Sequence, residues 1–141
     1  MQIIRTETLD PSQGLTDAIL EGLLTQNGIS SNHSYIYRVA GSSALPELES
    51  RGNVGNQDFI KGFTSFRFPE STERGGYIHE EDDLNLGDAL NNVYSPMLVI
   101  YRTSEFENLG YVAGWEDCYE FRHRGVSSMV DTIEAVIIGE E

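Results

Sequence analysis

Residues 97–101 read Met97-Leu98-Val99-Ile100-Tyr101, and a proline precedes them. A short run that is apolar at every position predicts a strand buried on both faces of a sheet. The run is far too short for a membrane-spanning helix, which needs ~20 apolar residues. Residues 133–138 are nearly all apolar and predict a second strand of this kind near the end of the chain. These two segments place a sheet at the centre of the fold.

Three further segments predict strands around this centre. Residues 35–39 are rich in aromatic and β-branched side chains, which strands favour. Residues 63–68 and 119–123 alternate apolar with polar positions. Alternation of this kind predicts a strand with one buried face.

The first predicted helix starts after a turn at Asp10-Pro11-Ser12. Its apolar residues recur at helical spacing and would form one buried stripe: Leu15, Ile19, Leu20, Leu23 and Leu24. Gly28 follows at the place where a helix end commonly needs a left-handed residue. A helix ending close to Gly28 is therefore expected.

Two shorter helices are predicted from capping residues. Ser42 or Ser43 can cap a helix that ends before Gly52. Asp83 can cap a helix over residues 84–93. Between the strands and these helices, residues 53–62 and 69–83 are predicted to be loops, because they are rich in glycine or charge.

These elements predict an α+β fold in a small single domain over residues 1–141. The sheet is expected to be mainly antiparallel, either continuous or split around a cleft, with two to three helices. A chain of 141 residues is long enough to close a core of its own. Residues 1–7 are predicted as a short strand or as part of an arm spanning residues 1–12.

The charge balance is the most unusual feature of the composition. The chain has 23 acidic and nine basic residues, of which only Lys61 is a lysine, and its formal net charge is -14. Such a surface suits a cytoplasm rich in salt. The Debye length at molar ionic strength is only ~3 Å, so the repulsion between acidic residues is screened. An ordinary acidic protein and a mimic of DNA are alternatives. The mimic is disfavoured, because the acidic residues are spread along the chain.

The same pattern bears on partners and location. The basic residues are scattered, and the densest spot is Arg122-His123-Arg124. Direct nucleic-acid binding is therefore not expected, since it needs clustered cations. The N-terminal segment lacks a basic stretch followed by an apolar run, and Cys118 is the only cysteine. A cytoplasmic location without membrane insertion or an internal disulfide is expected.

Two local clusters of residues are considered as a metal site and as a catalytic nucleophile. Residues 79–83 crowd four carboxylates beside His79, but they lack the ligand spacing and central glycine of a calcium loop. They are interpreted as a solvated charge run, and no metal ligand is predicted. Cys118 and His123 lie five residues apart among aromatic side chains, which favours a buried, inert thiol over a nucleophile.

An ordered series of segments carries a resemblance to a known family. Tyr37-Arg38 ends a predicted strand, and Gly62-Phe63-Thr64-Ser65 opens the next one. The strand at 97–101, the pair Trp115-Glu116 and the closing apolar strand follow. This order resembles the mono-ADP-ribosyltransferase-like superfamily and the small bacterial domains placed near that fold, over roughly residues 35–139. The resemblance implies NAD as the cofactor, in a cleft between the strands at 35–39 and 63–68.

The resemblance also implies binding roles. Arg38 would contact the adenosine side or the phosphates of NAD. Ser65 would hold the catalytic glutamate, and Thr64 belongs to the same segment at the cofactor. An aromatic residue, Tyr77 or Tyr101, would stack on nicotinamide.

Two residues compete for the role of the catalytic glutamate. Glu107 belongs to a Glu-x-Glu segment but follows the strand at 97–101 closely. Glu134 precedes an apolar strand but lacks a second glutamate beside it. A carboxylate is needed because cleavage of the nicotinamide bond builds positive charge on the ribose, which a fixed anion stabilises.

Two other functions stay open. A binding module without chemistry would dock a protein partner through aromatic and basic residues near the end of the chain: Tyr111, Trp115, Tyr119 and Phe121, with Arg122 and Arg124. Those aromatic residues are more simply interpreted as core. An acidic inhibitor of a nuclease or polymerase is the other alternative, and its contacts would be lost in molar salt.

Overall fold

The structure is a computed structural model. It describes residues 1–6, 15–29, 35–54, 58–64, 83–84, 93, 95–111 and 118–139. Within these ranges the chain forms strands, two α-helices and short 3₁₀ turns. In chain order the elements are β1 (Gln2–Thr6), β2 (Leu15–Thr16), α1 (Asp17–Gln26), β3 (Tyr35–Gly41), α2 (Leu45–Arg51), β4 (Phe59–Thr64), β5 (Asp83–Leu84), β6 (Pro96–Arg102), β7 (Phe106–Tyr111), β8 (Cys118–His123) and β9 (Ile133–Gly139).

Seven of the strands form one sheet in the order β1-β9-β6-β3-β4-β8-β7. All neighbours run antiparallel except β1 and β9, which run parallel. Strands β2 and β5 form a separate antiparallel pair. The predicted small α+β domain with a mainly antiparallel sheet is therefore confirmed.

Strand β6 lies inside this sheet, as its apolar run predicts. Its residues 97–101 are all fully buried. It pairs with β3 along its whole length and with β9 on the other side. Strand β9 is likewise buried over residues 135–138. Both strands are buried on both faces of the sheet, which explains why apolar and polar residues do not alternate along them.

Two helices cover opposite faces of the sheet. The α1 face is the side on which Leu24 and Ile29 pack with inward side chains of β3, β6 and β9, including Tyr37, Leu98 and Ile137. The α2 face is the side on which Leu48 packs with the alternate set, including Ile36, Val99 and Val136. The 3₁₀ turn Met129–Thr132 adds Met129 to the α2 face.

Helix α1 ends as its sequence predicts. Gly28 has a φ of 78°, in the left-handed region. The N–H of Ile29 donates to the carbonyl of Leu24, and the N–H of Gly28 donates to that of Thr25. This pair of hydrogen bonds is the Schellman arrangement, and it brings Ile29 into the core beside Leu24.

Several predicted boundaries are corrected. Leu15–Thr16 is a strand, so α1 begins at Asp17. Neither Ser42 nor Ser43 caps α2 through its side chain; the cap positions are Gly41 for the 3₁₀ turn and Ala44 for the helix. The prediction of a helix capped by Asp83 is wrong at its start, because Asp83–Leu84 pairs with β2 as a strand. Residues 85–92 lie outside the described ranges.

The sheet also differs from the predicted strands at its margins. Gln2–Thr6 is an edge strand of the sheet. Strand β4 begins at Phe59, inside the segment predicted as a loop. Strand β7 was not predicted, since its alternation is broken by an irregular pairing between Asn108 and Gly110.

Candidate functional site at the junction of strands β3 and β4

The sheet is weakly joined between β3 and β4. Among the residues that the structure describes, these strands pair only at Ile36 with Thr64 and at Tyr37 with Phe63. On their other sides, β3 pairs with β6 over seven positions and β4 pairs with β8 over five. The short junction divides the sheet into two halves, β1-β9-β6-β3 and β4-β8-β7.

A glycine permits the contact at the paired end. A Cβ atom placed on Gly62 would lie 2.7 Å from Cγ2 of Ile36 and 2.9 Å from the carbonyl oxygen of Tyr37. Any side chain at Gly62 would therefore push β4 away from β3. This close approach explains a glycine inside a strand, where glycine is otherwise unfavourable.

Beyond the paired end, the side chain of Asn53 occupies the junction. Its Nδ2 donates to the carbonyl of Phe59 at 2.9 Å. The carbonyl of Asp58 accepts from the N–H of His123 on β8, so the next carbonyl, that of Phe59, faces the β3 side. Asn53 is 2% exposed and thus satisfies a strand carbonyl that β3 does not reach.

Arg38 also lies at the junction of β3 and β4, beside Asn53 and on the α2 face of the sheet. Its Nη1 donates a hydrogen bond to Oδ1 of Asn53. Its guanidinium also lies close enough to the hydroxyl of Tyr101 to act on the pKa of that phenol. That hydroxyl donates in turn to the carbonyl of Gly52 at 2.9 Å. Arg38, Asn53, Tyr101 and Gly52 form a connected network, which we call the junction network.

Burial determines the electrostatics of this network. Desolvation raises the pKa of Tyr101, and the nearby Arg38 charge and hydrogen bond act in the opposite direction. The phenol therefore stays neutral well into the alkaline range. Arg38 itself is partly buried. Its guanidinium carries five N–H donors, more than its partners among the described residues use, so a partly buried cation lies at the junction.

The two predicted glutamates lie elsewhere. Glu107 is on β7, three strands from β3, which amounts to roughly 14 Å across a sheet. Its Oε2 is 4.0 Å from Nη1 of Arg122. Glu134 is on β9, with its Oε2 3.4 Å from Nε of Arg102. The structure brings neither carboxylate to Arg38.

The surroundings of Glu134 place it near the α1 face. It lies close enough to Tyr35, a member of the α1-face core, to raise the pKa of that phenol. Burial is the larger cause of this raised pKa, and Arg102 opposes it. Since Arg38 belongs to the α2 face, the sheet itself separates Glu134 from Arg38.

The remaining predicted site residues, one catalytic and three cofactor-binding, divide into two groups. Ser65 and Tyr77 lie outside the described ranges, and Thr64 is described only as a strand residue paired with Ile36. Tyr101 is in the core with 0% exposure, so its ring has no accessible face on which nicotinamide could stack. Its contribution to the junction is the hydroxyl.

The cysteine and the aromatic cluster near the end of the chain are core residues where they are described. Cys118 is buried, and desolvation raises the pKa of its thiol to about 11, with Lys61 opposing and Glu120 reinforcing the effect. A thiol that stays protonated at neutral pH is a poor nucleophile. Tyr119 and Phe121 are buried on the α2 face. Trp115 lies outside the described ranges.

An exposed aromatic–cation pair was missed by sequence reasoning. Phe59 is 40% exposed, and the guanidinium of Arg122 lies over its ring, 5.5 Å from the centroid. The two residues face each other across β4 and β8. The signal was hidden because Phe59 fell in a segment predicted as a loop. Asn53 was missed for the same reason, although its position directly after a helix-ending glycine is typical of a residue with a local hydrogen-bonding role.

Comparisons with protein-family models, with curated proteins and with solved structures give no match. Among the described residues, no helix is long and apolar enough to cross a membrane. Within that same part of the chain, His, Cys, Asp and Glu side chains nowhere gather in threes as a metal site would require.

Proposed function

We propose that the chain is an NAD-binding domain of the ADP-ribosyltransferase-like kind, with NAD bound where β3 and β4 separate. The observation that supports this most is the division of the sheet at the strand that carries Arg38. A sheet split around a cleft is what the family resemblance implies, and the two-residue pairing of β3 and β4 is compatible with such a split. The order of segments along the chain adds to this support.

Arg38 is the residue proposed to bind the phosphates of NAD. A guanidinium matches the geometry of phosphate oxygens and keeps its charge at any ordinary pH. The chain carries a net charge of -14, so an anionic ligand is repelled by most of its surface. Molar salt screens that general repulsion more than it screens a contact to a partly buried cation. Binding is therefore expected to persist in molar potassium chloride.

An NAD titration followed by amide NMR tests the proposal, at low and at roughly molar potassium chloride. Saturable shifts are expected at Arg38 and its neighbours on β3 and β4. Arg38→Gln should abolish them, because it keeps a polar side chain but removes the charge. Arg51→Gln is the matched control, since Arg51 is exposed at the end of α2 and should leave binding unchanged. A wild-type spectrum that ignores NAD at both salt concentrations would overturn the proposal.

Transfer of ADP-ribose is a further proposal, and it needs a carboxylate at the nicotinamide ribose. Glu107 and Glu134 remain the named residues, although each lies beside another arginine and neither lies at Arg38 in the present arrangement. Glu107→Gln and Glu134→Gln are each assayed for release of nicotinamide and for NAD binding. The acting residue should lose turnover and keep binding. Full activity in both variants would contradict both assignments.

A second function is favoured by the Phe59–Arg122 pair. An exposed aromatic ring under a guanidinium is a common composition at protein-binding surfaces. A protein-binding module adapted to high salt would use this pair in place of the buried Tyr119 and Phe121. An NAD-insensitive but well-dispersed spectrum would favour this function. Phe59→Ala should then weaken capture of a partner, while Val126→Ala, at an 81% exposed position, should not.

A further inference from the structure

We infer that Asn53 is the positioning residue that holds the Arg38 guanidinium in place at the junction of β3 and β4 before any ligand arrives. The inference rests on the proposed NAD site and adds a residue to it that the family resemblance does not include. Asn53 would touch no ligand, and its effect would pass entirely through Arg38.

The contacts of Asn53 use both ends of its amide. Oδ1 accepts from Nη1 of Arg38 and also from the N–H of Val54, at 2.8 Å. Nδ2 donates to the carbonyl of Phe59 at 2.9 Å. One small side chain thus connects Arg38 on β3 with the first residue of β4, across the part of the junction where the two strands do not pair.

Asparagine suits this position for a chemical reason. Aspartate has the two acceptors but lacks the donor for Phe59, and leucine of similar size has neither. Because Asn53 is 2% exposed, water does not readily replace a lost partner. Removing the amide would take a hydrogen-bond donor from the carbonyl of Phe59 and release one contact of Arg38.

The second contact of Arg38 is fixed independently. The Tyr101 hydroxyl is buried in the core, and its own hydrogen bond to Gly52 orients it. Gly52 and Asn53 are consecutive residues directly after α2, so one short segment sets both contacts of the guanidinium. Gly52 has a φ of 77°, in the left-handed region, and its backbone packs closely against Met129 and Val130.

A held guanidinium changes the free energy of ligand binding. An arginine side chain that moves freely must be ordered when it binds a phosphate, and that ordering weakens binding. An arginine that is already hydrogen-bonded on one edge loses less freedom and presents its remaining donors in a fixed fork. Asn53 is therefore expected to raise the affinity for NAD by ordering Arg38, without changing the charge of the site.

The test combines two readouts on the full chain, namely the order of the Arg38 Nε–H group by ¹⁵N relaxation and NAD affinity by amide NMR. In wild type the Nε–H group should be ordered. Asn53→Ala should make it mobile and weaken NAD binding by about tenfold, the equivalent of one lost hydrogen bond. Asn53→Asp should keep Arg38 ordered but weaken NAD binding, because its carboxylate neutralises the guanidinium.

A stability control separates positioning from general damage. Thr132→Val removes another buried hydrogen bond, from Thr132 Oγ1 to the carbonyl of Met129, without touching Arg38. It should lower stability and leave both Arg38 order and NAD affinity unchanged. A structural role alone would make Asn53→Ala and Thr132→Val behave alike.

The outcomes distinguish this inference from the proposed function. An Arg38 Nε–H group that is equally ordered in wild type and Asn53→Ala would overturn the positioning role, whatever NAD does. Wild-type binding with unchanged affinity in Asn53→Ala would also overturn it, while leaving the NAD site intact. Absence of wild-type binding would overturn the proposed function and the ligand role of Asn53 together. Should Asn53→Ala fail to fold, the wild-type relaxation data decide, because an Arg38 Nε–H group that is mobile in wild type would overturn the positioning role.

Discussion

The two halves of the sheet differ in how many of their faces are covered. In the β1-β9-β6-β3 half, α1 and α2 lie on opposite sides, and residues 97–101 of β6 are fully buried. In the β4-β8-β7 half, the α2 face is core, but Phe59, Lys61 and Arg122 are exposed on the other face. The same sheet is thus an enclosed layer at one end and a one-sided layer at the other.

This difference can be read from the strand sequences. Strand β6 is apolar at every inner position, whereas β8 alternates Tyr119 and Phe121 with Glu120 and Arg122. The exposed face of the second half carries neighbours of opposite charge, with Lys61 beside Glu120 and Arg122 beside Glu107. The sequence of a strand therefore indicates whether one or both of its faces are buried, but it does not indicate which element covers each face.

The largest expected effect on stability is at Gly52, directly after α2, the helix that packs on the α2 face of the sheet. A Cβ atom on Gly52 would lie 2.5 Å from backbone atoms of Met129 and Val130, and the φ of Gly52 is 77°. Gly52→Ala should lower the free energy of unfolding by ~4 kcal/mol or more, measured by urea denaturation. Gly28→Ala is the matched control, because Gly28 has a φ of 78° but nothing within 4 Å. It should cost only ~1 kcal/mol, the strain of a left-handed side chain. Equal losses would show that close packing at Gly52 is unimportant.

The next effect compares the halves directly. Leu98→Ala removes a fully buried side chain from the enclosed half and should cost ~3 kcal/mol of unfolding free energy. Phe59→Ala removes a larger side chain that is 40% exposed and should cost ~1 kcal/mol. Thermal and urea unfolding of both variants measure the difference. Similar losses would mean that the second half is enclosed as fully as the first.

A smaller effect arises at Cys118, the first residue of β8 in the second half. Its pKa is raised from the ordinary value of 9.0 to about 11 by burial. The unfolded chain loses the thiol proton first, so this contribution to stability is complete below pH 9 and is lost as pH rises towards 11. Unfolding free energy measured between pH 8.5 and about 10 should fall with pH in wild type and less steeply in Cys118→Ala.

The tyrosines set the upper limit of that comparison. Burial raises the pKa of both Tyr35 and Tyr101 above 10.0, and their contributions fall in the same direction at higher pH. Identical slopes for wild type and Cys118→Ala below pH 10 would show that the thiol is accessible to water.

The smallest effect is expected on the exposed face. Arg122 and Glu107 are both nearly half exposed and 4.0 Å apart, so a double-mutant cycle with Arg122→Gln and Glu107→Gln should give a coupling below ~0.5 kcal/mol. The contact of Arg122 with Phe59 adds a similar amount. A coupling of several kcal/mol would mean that this face is desolvated, and hence covered, in solution.

Sequence reasoning found the elements whose signal is local. Strands β3, β6, β8 and β9 follow from apolar runs or alternation, and the end of α1 follows from Gly28. It missed β7, where an irregular pairing breaks the alternation, and the start of β4, where Asn53 and Gly62 look like loop residues. Of the candidate site, Arg38 and Tyr101 lie at the junction, but their respective hydrogen-bond acceptors, Asn53 and Gly52, were not foreseen. Those contacts join residues 15 and 49 positions apart, and no local pattern encodes them.

The amino-acid sequence by itself determined the acidic surface, the identity of the two most buried strands and the α+β class, because each depends on composition or on the periodicity of neighbouring residues. The tertiary structure alone decided that β3 and β4 pair at two positions among their described residues, that Arg38 and Glu134 lie on opposite faces, and that one half of the sheet keeps an exposed face. These properties depend on strand order and on which backbone groups find partners across the sheet. Such pairings are chosen by the packing of the whole chain, where a buried polar group without a partner costs more than any local preference can offset.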